Sequence, residues 1–424
     1  MTNAKQKIPN EWEEVKSSTI LDIRDGTHDS PSKQKVGIPL LTSKNISNGE
    51  LSFHNYYCIS EEDAKQVNKR SGVEKGDILI SMIGTVGESA LIKKNPNFVI
   101  KNVGLFKRNE KKISSKFLIK QLHSQNFRRT IKSFLNGGIQ KFIGLGDLRK
   151  LPFILPPLPE QKRIVEVLET WDSYLEKLEK KIEIKKKIKK GLLQQLLTGK
   201  KRLPGFNSKW RETNVGEIFK YIKTYAFSRE KLLKRGLLSN GIGNIHYGDI
   251  HSSYKATSID ISKVIVPQIK NIDFIPKSND FLIDGDIVMA DASEDFDGVG
   301  VAITLHGLKN KRVLGGLHTF VLRDTKSKTA QYYRQYIFCN QKVKFQLKKI
   351  ATGVSVLGLS KSNLNKINIQ LPKKEEQTAI AKILTTADEE IEILEKQKEK
   401  IKAQKKYLLN NLITGRIRLP EFRN

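Results

Sequence analysis

LLTGKKRLPGF, Leu196 to Phe206, stands near the middle of the chain, and LITGRIRLPEF, Leu412 to Phe422, stands two residues from its end. The likeness runs a long way upstream. LPPLPEQKRIVEVLETW from Leu155 lies over LPKKEEQTAIAKILTTA from Leu371 without a gap. Gln161 and Gln377, Asp172 and Asp388, Thr198 and Thr414, and Pro204 and Pro420 all lie 216 positions apart. A register held that long marks an internal duplication.

Both copies read as helices. Pro159 and Glu160 suit a first turn, where a missing N–H costs nothing and acid favours the dipole. Gly199 and Gly415 stand where a C-terminal cap is expected, with Pro204 and Pro420 beyond. In copy one the apolar positions Ile164, Leu168, Trp171, Leu175, Leu178, Ile182, Leu192 and Leu196 follow steps of four and three, interrupted at Lys185 and Lys189. In copy two Ile380, Leu384, Ile391, Leu394, Ile401, Leu408 and Leu412 keep the same register, with Ala387, Lys398 and Lys405 between them. A stripe two positions wide in seven is a coiled-coil seam, narrower than the face of an ordinary core helix. Each helix of about 38 residues spans about 57 Å at 1.5 Å per residue. Two seams in one register predict that the helices pair with each other. Leu193, Leu197, Leu409 and Ile413 lie beside the seam and are candidates for a partner groove.

Between the helices lie two domain-sized pieces, about 1–155 and 206–370, with the helical segments at 156–205 and 371–424. Each piece starts near a tryptophan, Trp12 in IPNEW and Trp210 in NSKW. Each has a Gly-Asp turn leading into a β-branched run, EKGDILIS and IDGDIVMA, which reads as a strand entry. Helical material is expected around 116–134 and 329–349. The fold class is therefore α+β, in the order domain, helix, domain, helix. Joined tail to head, RLPEF would run on into IPNEW, so the chain reads as a pseudo-two-fold object opened at one junction. An antiparallel pair of long helices would bring the chain ends close together and leave one domain at each end.

Of the 424 residues, 76 are Lys or Arg and 45 are Asp or Glu, a formal net charge of +31. Such an excess favours a polyanionic partner, nucleic acid before an anionic membrane surface. Cys58 and Cys339 form no CxxC, which fits a reducing compartment and excludes a zinc ribbon or a disulfide scaffold. No apolar run approaches the roughly 18 residues needed to span a bilayer, and a cytoplasmic protein is expected.

Catalytic patterns are missing. The chain has no FxGxG, no (N/D)PP(Y/F), no GxxxxGK(S/T) and no HExxH, so S-adenosylmethionine (SAM) chemistry, a P-loop ATPase and a zincin are not indicated. DASEDFDG, Asp291 to Gly298, fails the EF-hand pattern at Phe296 and Ala302. Glu294, Asp295 and Asp297 read either as a magnesium site or as a solvated loop, and the solvated loop is preferred. Acids in a DNA-facing loop would also accept from cytosine N4. The basic run Lys185, Lys186, Lys187, Lys189 and Lys190 reads either as phosphate contacts or as a solvated helix face.

Two different α+β domains alternating with two near-identical helices that end in L(L/I)TGxxRLPxF resemble the DNA-specificity subunit of a type I restriction–modification enzyme. The resemblance covers the whole chain; LPKKEEQ in place of LPPLPEQ is its departure. It implies two target recognition domains, each reading one half of a split double-stranded DNA target, and a helical spacer setting the gap. It implies no catalysis by this chain, and no metal or cofactor on it. Two methyltransferase subunits would bring SAM, and two restriction subunits would bring ATP and magnesium. Candidate DNA contacts are Thr27, His28, Thr85, Gln140 and Lys141 in the first domain. In the second they are Lys223, Arg229, Ser293, Glu294, Ser355 and Lys361. Two rival readings are weighed against it. An atypical nucleic-acid-modifying enzyme would bind SAM as the isolated chain. A single-strand or RNA scaffold would want stacking platforms, and aromatics are only 8% of the chain.

Overall fold

The computed structural model describes residues 8–233, 241–254, 256–271 and 275–423. The chain forms two compact units, Met1–Glu179 with Lys396–Asn424, and Lys180–Glu395. The boundaries fall inside both long helices, Leu158–Leu196 and Lys374–Leu412. Each unit thus holds one α+β domain and one end of each helix. Among the described residues no helix is long and apolar enough to cross a membrane.

Unit 1 is built on an antiparallel sheet ordered Ile23–Asp25, Val103–Phe106, Ile78–Ser81, Ser89–Leu91. Unit 2 repeats that order with Lys220–Ile222, Thr319–Arg323, Ile287–Ala290 and Ala302–His306, then adds Ser258–Asp260 in parallel. The Gly-Asp turns enter the central strands, which are buried along their whole length. Gly76 and Gly285 adopt φ of +93° and +91°, a region that a side chain strains. The aspartates that follow are buried and fully partnered, as a buried charge must be. Asp77 accepts from the Glu74 and Arg108 N–H groups and from Lys107 Nζ, all at 2.7–2.8 Å. Asp286 accepts from the Ile283 N–H and from both arms of Arg323 at 2.6–2.9 Å.

Short strands close each domain beside its long helix: Glu13–Lys16 pairs with Pro152–Leu155, and Arg211–Asn214 with Asn368–Leu371. The helical stretches expected from sequence are Ser115–Leu122 with Gln125–Lys132, and Arg334–Ile337 with Gln341–Ile350. Ser124 and Asn340 cap the second helix of each pair through their side chains. The long-helix ends belong to the domain cores. Ile164, Val165, Leu168, Leu412 and Ile413 pack into the unit 1 core, and Leu196, Leu197, Ile380, Ala381 and Leu384 into that of unit 2.

Within each unit the two helix ends run antiparallel. Ile164, Leu168, Leu178, Ile182, Leu196, Ile380, Leu384, Ile391, Leu394 and Leu412 are buried, and Trp171, Leu175, Leu192, Ile401 and Leu408 half-buried. The lysines in the stripe reach acids on the facing helix. Lys405 pairs with Asp172 in unit 1, and its equivalent Lys189 pairs with Asp388 in unit 2. Lys185 pairs with Glu390 at 2.7 Å. Their alkyl stems can then line the seam while the ammonium reaches its partner. Burial alone would raise the Asp172 carboxyl, but hydrogen bonds from Lys120 and Lys405 outweigh it and hold it below the ordinary aspartate value.

The four residues beside the seam do not form an outward groove. Leu197 and Ile413 are buried, and Leu193 and Leu409 pack on the domain cores. Near its ends each helix is wrapped by a domain as well as by its partner, so its apolar face widens to that of a core helix.

The repeated stretch now has a structural reading. Gly199 and Gly415 end their helices at φ of +69° and +68°. Three residues on, Arg418 grips Glu160 through Nε at 3.1 Å and Nη2 at 2.9 Å, while the Trp12 indole donates to the same carboxylate at 2.9 Å. In unit 2 Arg202 and Trp210 grip Glu376 at 2.7–3.0 Å. The glutamines alongside tie each helix start to its domain. Gln161 Oε1 accepts from the Ser114 N–H and Gln377 Oε1 from the Ala330 N–H. Gly415 packs against Pro9 and Trp12, and Arg418 also reaches Glu11 at 2.7 Å. The tail therefore docks on the head, as the tail-to-head reading expects.

Candidate nucleic-acid interface

In unit 1 the end of strand Ile23–Asp25, the start of Val103–Phe106 and the end of Ile78–Ser81 share one edge of the sheet. The loops that leave it carry the candidate residues. His28 is exposed, yet its ring is fixed: Nδ1 lies 2.7 Å from Asn102 Oδ1 and Nε2 2.9 Å from Asp25 Oδ2. Asp25 is buried and also takes Arg70 at 2.6 Å. Thr27 is buried, its hydroxyl engaged with Asp29. It shapes the loop that presents His28.

Thr85 stands exposed on the Gly84–Gly87 turn, whose base is tied where the Ser81 hydroxyl donates to the Thr85 carbonyl. That turn forms one wall of a cleft of about 430 Å³; Arg128, Ile131, Lys132 and Lys141 line the other side. Gln140 and Lys141 sit on a hairpin closed by the Asn136–Phe142 pair. Lys141 Nζ donates to the Gly137 carbonyl at 2.7 Å. Pairing of Ile83 with Phe142 staples this hairpin to the glycine turn. Thr85, Gln140 and Lys141 are thereby brought together.

Unit 2 repeats the arrangement with other side chains. Lys223 follows strand Lys220–Ile222 and lies 4.8 Å from the Tyr225 ring centroid. Arg229 is committed to Asp249 at 2.7 Å. Ser293 is buried, its hydroxyl donating to the Asp295 carbonyl at 2.7 Å. Glu294 is exposed. Asp295 accepts from the Gly298 N–H at 2.6 Å and Asp297 pairs with Lys348 at 2.7 Å, so both acids are occupied within the protein. Among the described residues no three His, Cys, Asp or Glu side chains group as a metal site would require. Ser355 is exposed on a hairpin closed by Thr352 and Gly358, and strand pairing of Ala292–Ser293 with Leu357–Gly358 staples it to the acid loop. The Lys361 ammonium lies 5.3 Å from the Tyr221 ring centroid, and burial pushes the Tyr221 hydroxyl up to about 12.

Some residues at these edges escape single-residue reasoning. Asn102 and His318 lie 216 positions apart, at the same strand entry, with φ of +53° and +51°. His318 lies 3.2 Å from Asp291, whose carboxyl burial raises above the ordinary value, and packs edge-on to Tyr247. His251 lies 2.9 Å from the Ala292 carbonyl. Arg128 and its equivalent Lys344 are exposed on helices flanking the loops. Carrying the 216-residue offset back from the long helices as far as Asn102 would have found the pairs Asn102–His318 and Arg128–Lys344. Each edge thus offers donors and acceptors on glycine-containing loops, flanked by cations.

The family model for the type I restriction modification DNA specificity domain matches the chain twice, over residues 9–189 and 207–403. A putative type I restriction enzyme MjaX specificity subunit from Methanocaldococcus jannaschii is 28% identical over 97% of this chain and 95% of its own length. The solved HsdS subunit from Thermoanaerobacter tengcongensis is 17% identical, covers 98% of this chain and all of its own, and has a TM-score of 0.52. A chain from a type I restriction–modification system, solved to show complex assembly and conformational transition, is 16% identical over 97% of this chain with a TM-score of 0.62. At those identities the two structural likenesses are likenesses of fold.

Proposed function

Because the chain belongs to the type I restriction modification DNA specificity family, we propose that it reads an asymmetric, two-part double-stranded DNA sequence for a restriction–modification complex. The carrying observation is the pair of equivalent loop edges with different side chains. His28 and Asn102 with Gln140 and Lys141 stand on one, and His318, Tyr247 and Glu294 with Ser355 and Lys361 on the other. Equivalent places with unlike readers suit two unlike half-sites. The long helices, which run through both units, set the gap between the halves. Cations such as Lys141, Arg128 and Lys344 supply sequence-independent phosphate attraction.

The chain carries no chemistry of its own in this reading. Two methyltransferase subunits bind SAM and methylate one adenine in each half, each extruding the base from the stack. Two restriction subunits supply ATP-driven translocation and cleavage, with magnesium. The complex acts in the cytoplasm against foreign DNA. Sequencing the methylome of the host with and without the gene tests this. A bipartite adenine motif should vanish on deletion, and a methylome left unchanged would refute the proposal.

Two substitutions separate base reading from phosphate contact. Lys141→Ala should weaken binding to all duplexes and flatten the dependence of log K on log salt by about one charge. Gln140→Ala should relax preference at one base pair of one half-site, a discrimination of about 1–3 kcal/mol. Binding titrations on duplexes varied at each position decide between them. Equal loss on every sequence would remove Gln140 from base reading.

A further inference from the structure

The two hairpins at the reading edges carry aliphatic side chains exposed to solvent. Ile139 is 109% exposed and Val354 is 101% exposed relative to a free residue, and Val356 beside it is 54% exposed. A single exposed aliphatic residue on a surface is ordinary. Here an exposed aliphatic residue recurs in the same hairpin of the repeat, shifted by one position: Ile139 corresponds to Ser355, and Val354 to Gly138. Asn136–Phe142 and Thr352–Gly358 are the same hairpin, 216 positions apart, each closed by a backbone pair. Each turns at a glycine of positive φ, Gly137 at +86° and Gly353 at +129°. Loop tips favour small polar residues, because nothing is gained by ordering water around a methyl group. Yet the sequences between the paired residues differ almost entirely, GGIQK against GVSVL, while each hairpin still projects an aliphatic group near its tip, one position apart.

The surroundings select the occupant. Each hairpin is stapled to the loop at the end of the central strand, through Ile83–Phe142 in unit 1 and Ala292–Gly358 in unit 2. Cations flank each: Lys141 and Lys132 in unit 1, and in unit 2 Lys349 with Lys348, the latter paired with Asp297. An apolar tip set among cations fits a duplex, whose phosphates meet the cations while its stacked bases offer apolar faces. Proteins that unstack DNA insert such residues between base steps. Resting on the DNA-reading function above, we propose that Ile139 and Val354 are wedges, one per half-site, that open a base step beside the position to be modified. The wedge belongs to the reading chain, so the step is loosened before any partner subunit acts.

The test uses the full chain alone, at saturating concentration, on its target duplex carrying 2-aminopurine at successive positions in each half. Wild type should raise the fluorescence several-fold at one step in each half. Ile139→Ser should abolish the rise in one half only and Val354→Ser in the other, and Ile139→Leu should keep it. A rise that survives both serine substitutions, or a loss in both halves from one of them, would overturn the wedge. So would a silent signal from wild type bound specifically to the target. Wild type that does not discriminate the target from a scrambled duplex would overturn the DNA-reading function, and the wedge with it.

Discussion

Arg418→Ala is expected to destabilise unit 1 by about 3 kcal/mol, because it strands a buried carboxylate. Glu160 has no solvent exposure, and its two oxygens are held by Arg418 and by the Trp12 indole. Removing the guanidinium leaves one indole N–H against a full negative charge. Arg418→Lys should recover only part of the loss, since an ammonium cannot reproduce the two-pronged grip. Hydrogen exchange resolved along the chain is the suitable measurement, since a chain of two units has no single unfolding free energy. Protection should fall around Trp12, Ile154 and the start of the first long helix, and hold in residues 215–370. A loss below about 1 kcal/mol would show the grip to be incidental, the range of an exposed ion pair. Arg202→Ala should reproduce the pattern in unit 2, where Arg202 holds Glu376.

Exchanging residues 206–370 for the second domain of a family member with another target should rewrite one half of the recognised sequence and leave the other half intact. The cut falls after Gly205 and ends at Gln370, so the exchanged piece brings its own closing strands except Leu371 and leaves Glu376 and Arg202 in place. Specific sites bind typically 10³–10⁷ times more tightly than other DNA. With half of the specific contacts exchanged, the chimaera should lose roughly the square root of that ratio, at least about 30-fold, in preference for the original second half. Methylome sequencing of a host carrying the chimaera reads the result. A motif changed in both halves, or in neither, would show that the two units do not read separately.

The helices were legible because their signal is periodic and doubled. Steps of four and three survive any loop rearrangement, and a shared register names the partner. Strand entries at Gly76–Asp77 and Gly285–Asp286 were legible because a left-handed glycine and a capping acid act locally. The candidate edges were legible only as loops. Thr85, Gln140 and Lys141 stand together because Ile83 pairs with Phe142, a contact that no local pattern announces. Thr27 and Ser293 lie inside their own loops, because a hydroxyl can satisfy a turn backbone at no cost in length. Arg229 is drawn to Asp249, a pairing 20 positions away that no local pattern announces. The Asp25–Arg70 contact that fixes His28 spans 45 positions and depends on the sheet. The seam lysines looked like interruptions because their acids stand on the other helix.

Those lysines have a consequence for how such chains diversify. Each long helix carries both members of the seam pair, an aspartate toward its start and a lysine toward its end: Asp172 with Lys189, Asp388 with Lys405. That pair is self-complementary, so a polypeptide with one domain and one such helix would satisfy it by meeting a copy of itself. Doubling that unit in one gene frees each half to drift. The duplicated stretch then bears on inheritance too: a crossover within it between two genes that share it exchanges one domain and keeps the Asp–Lys pair in every product.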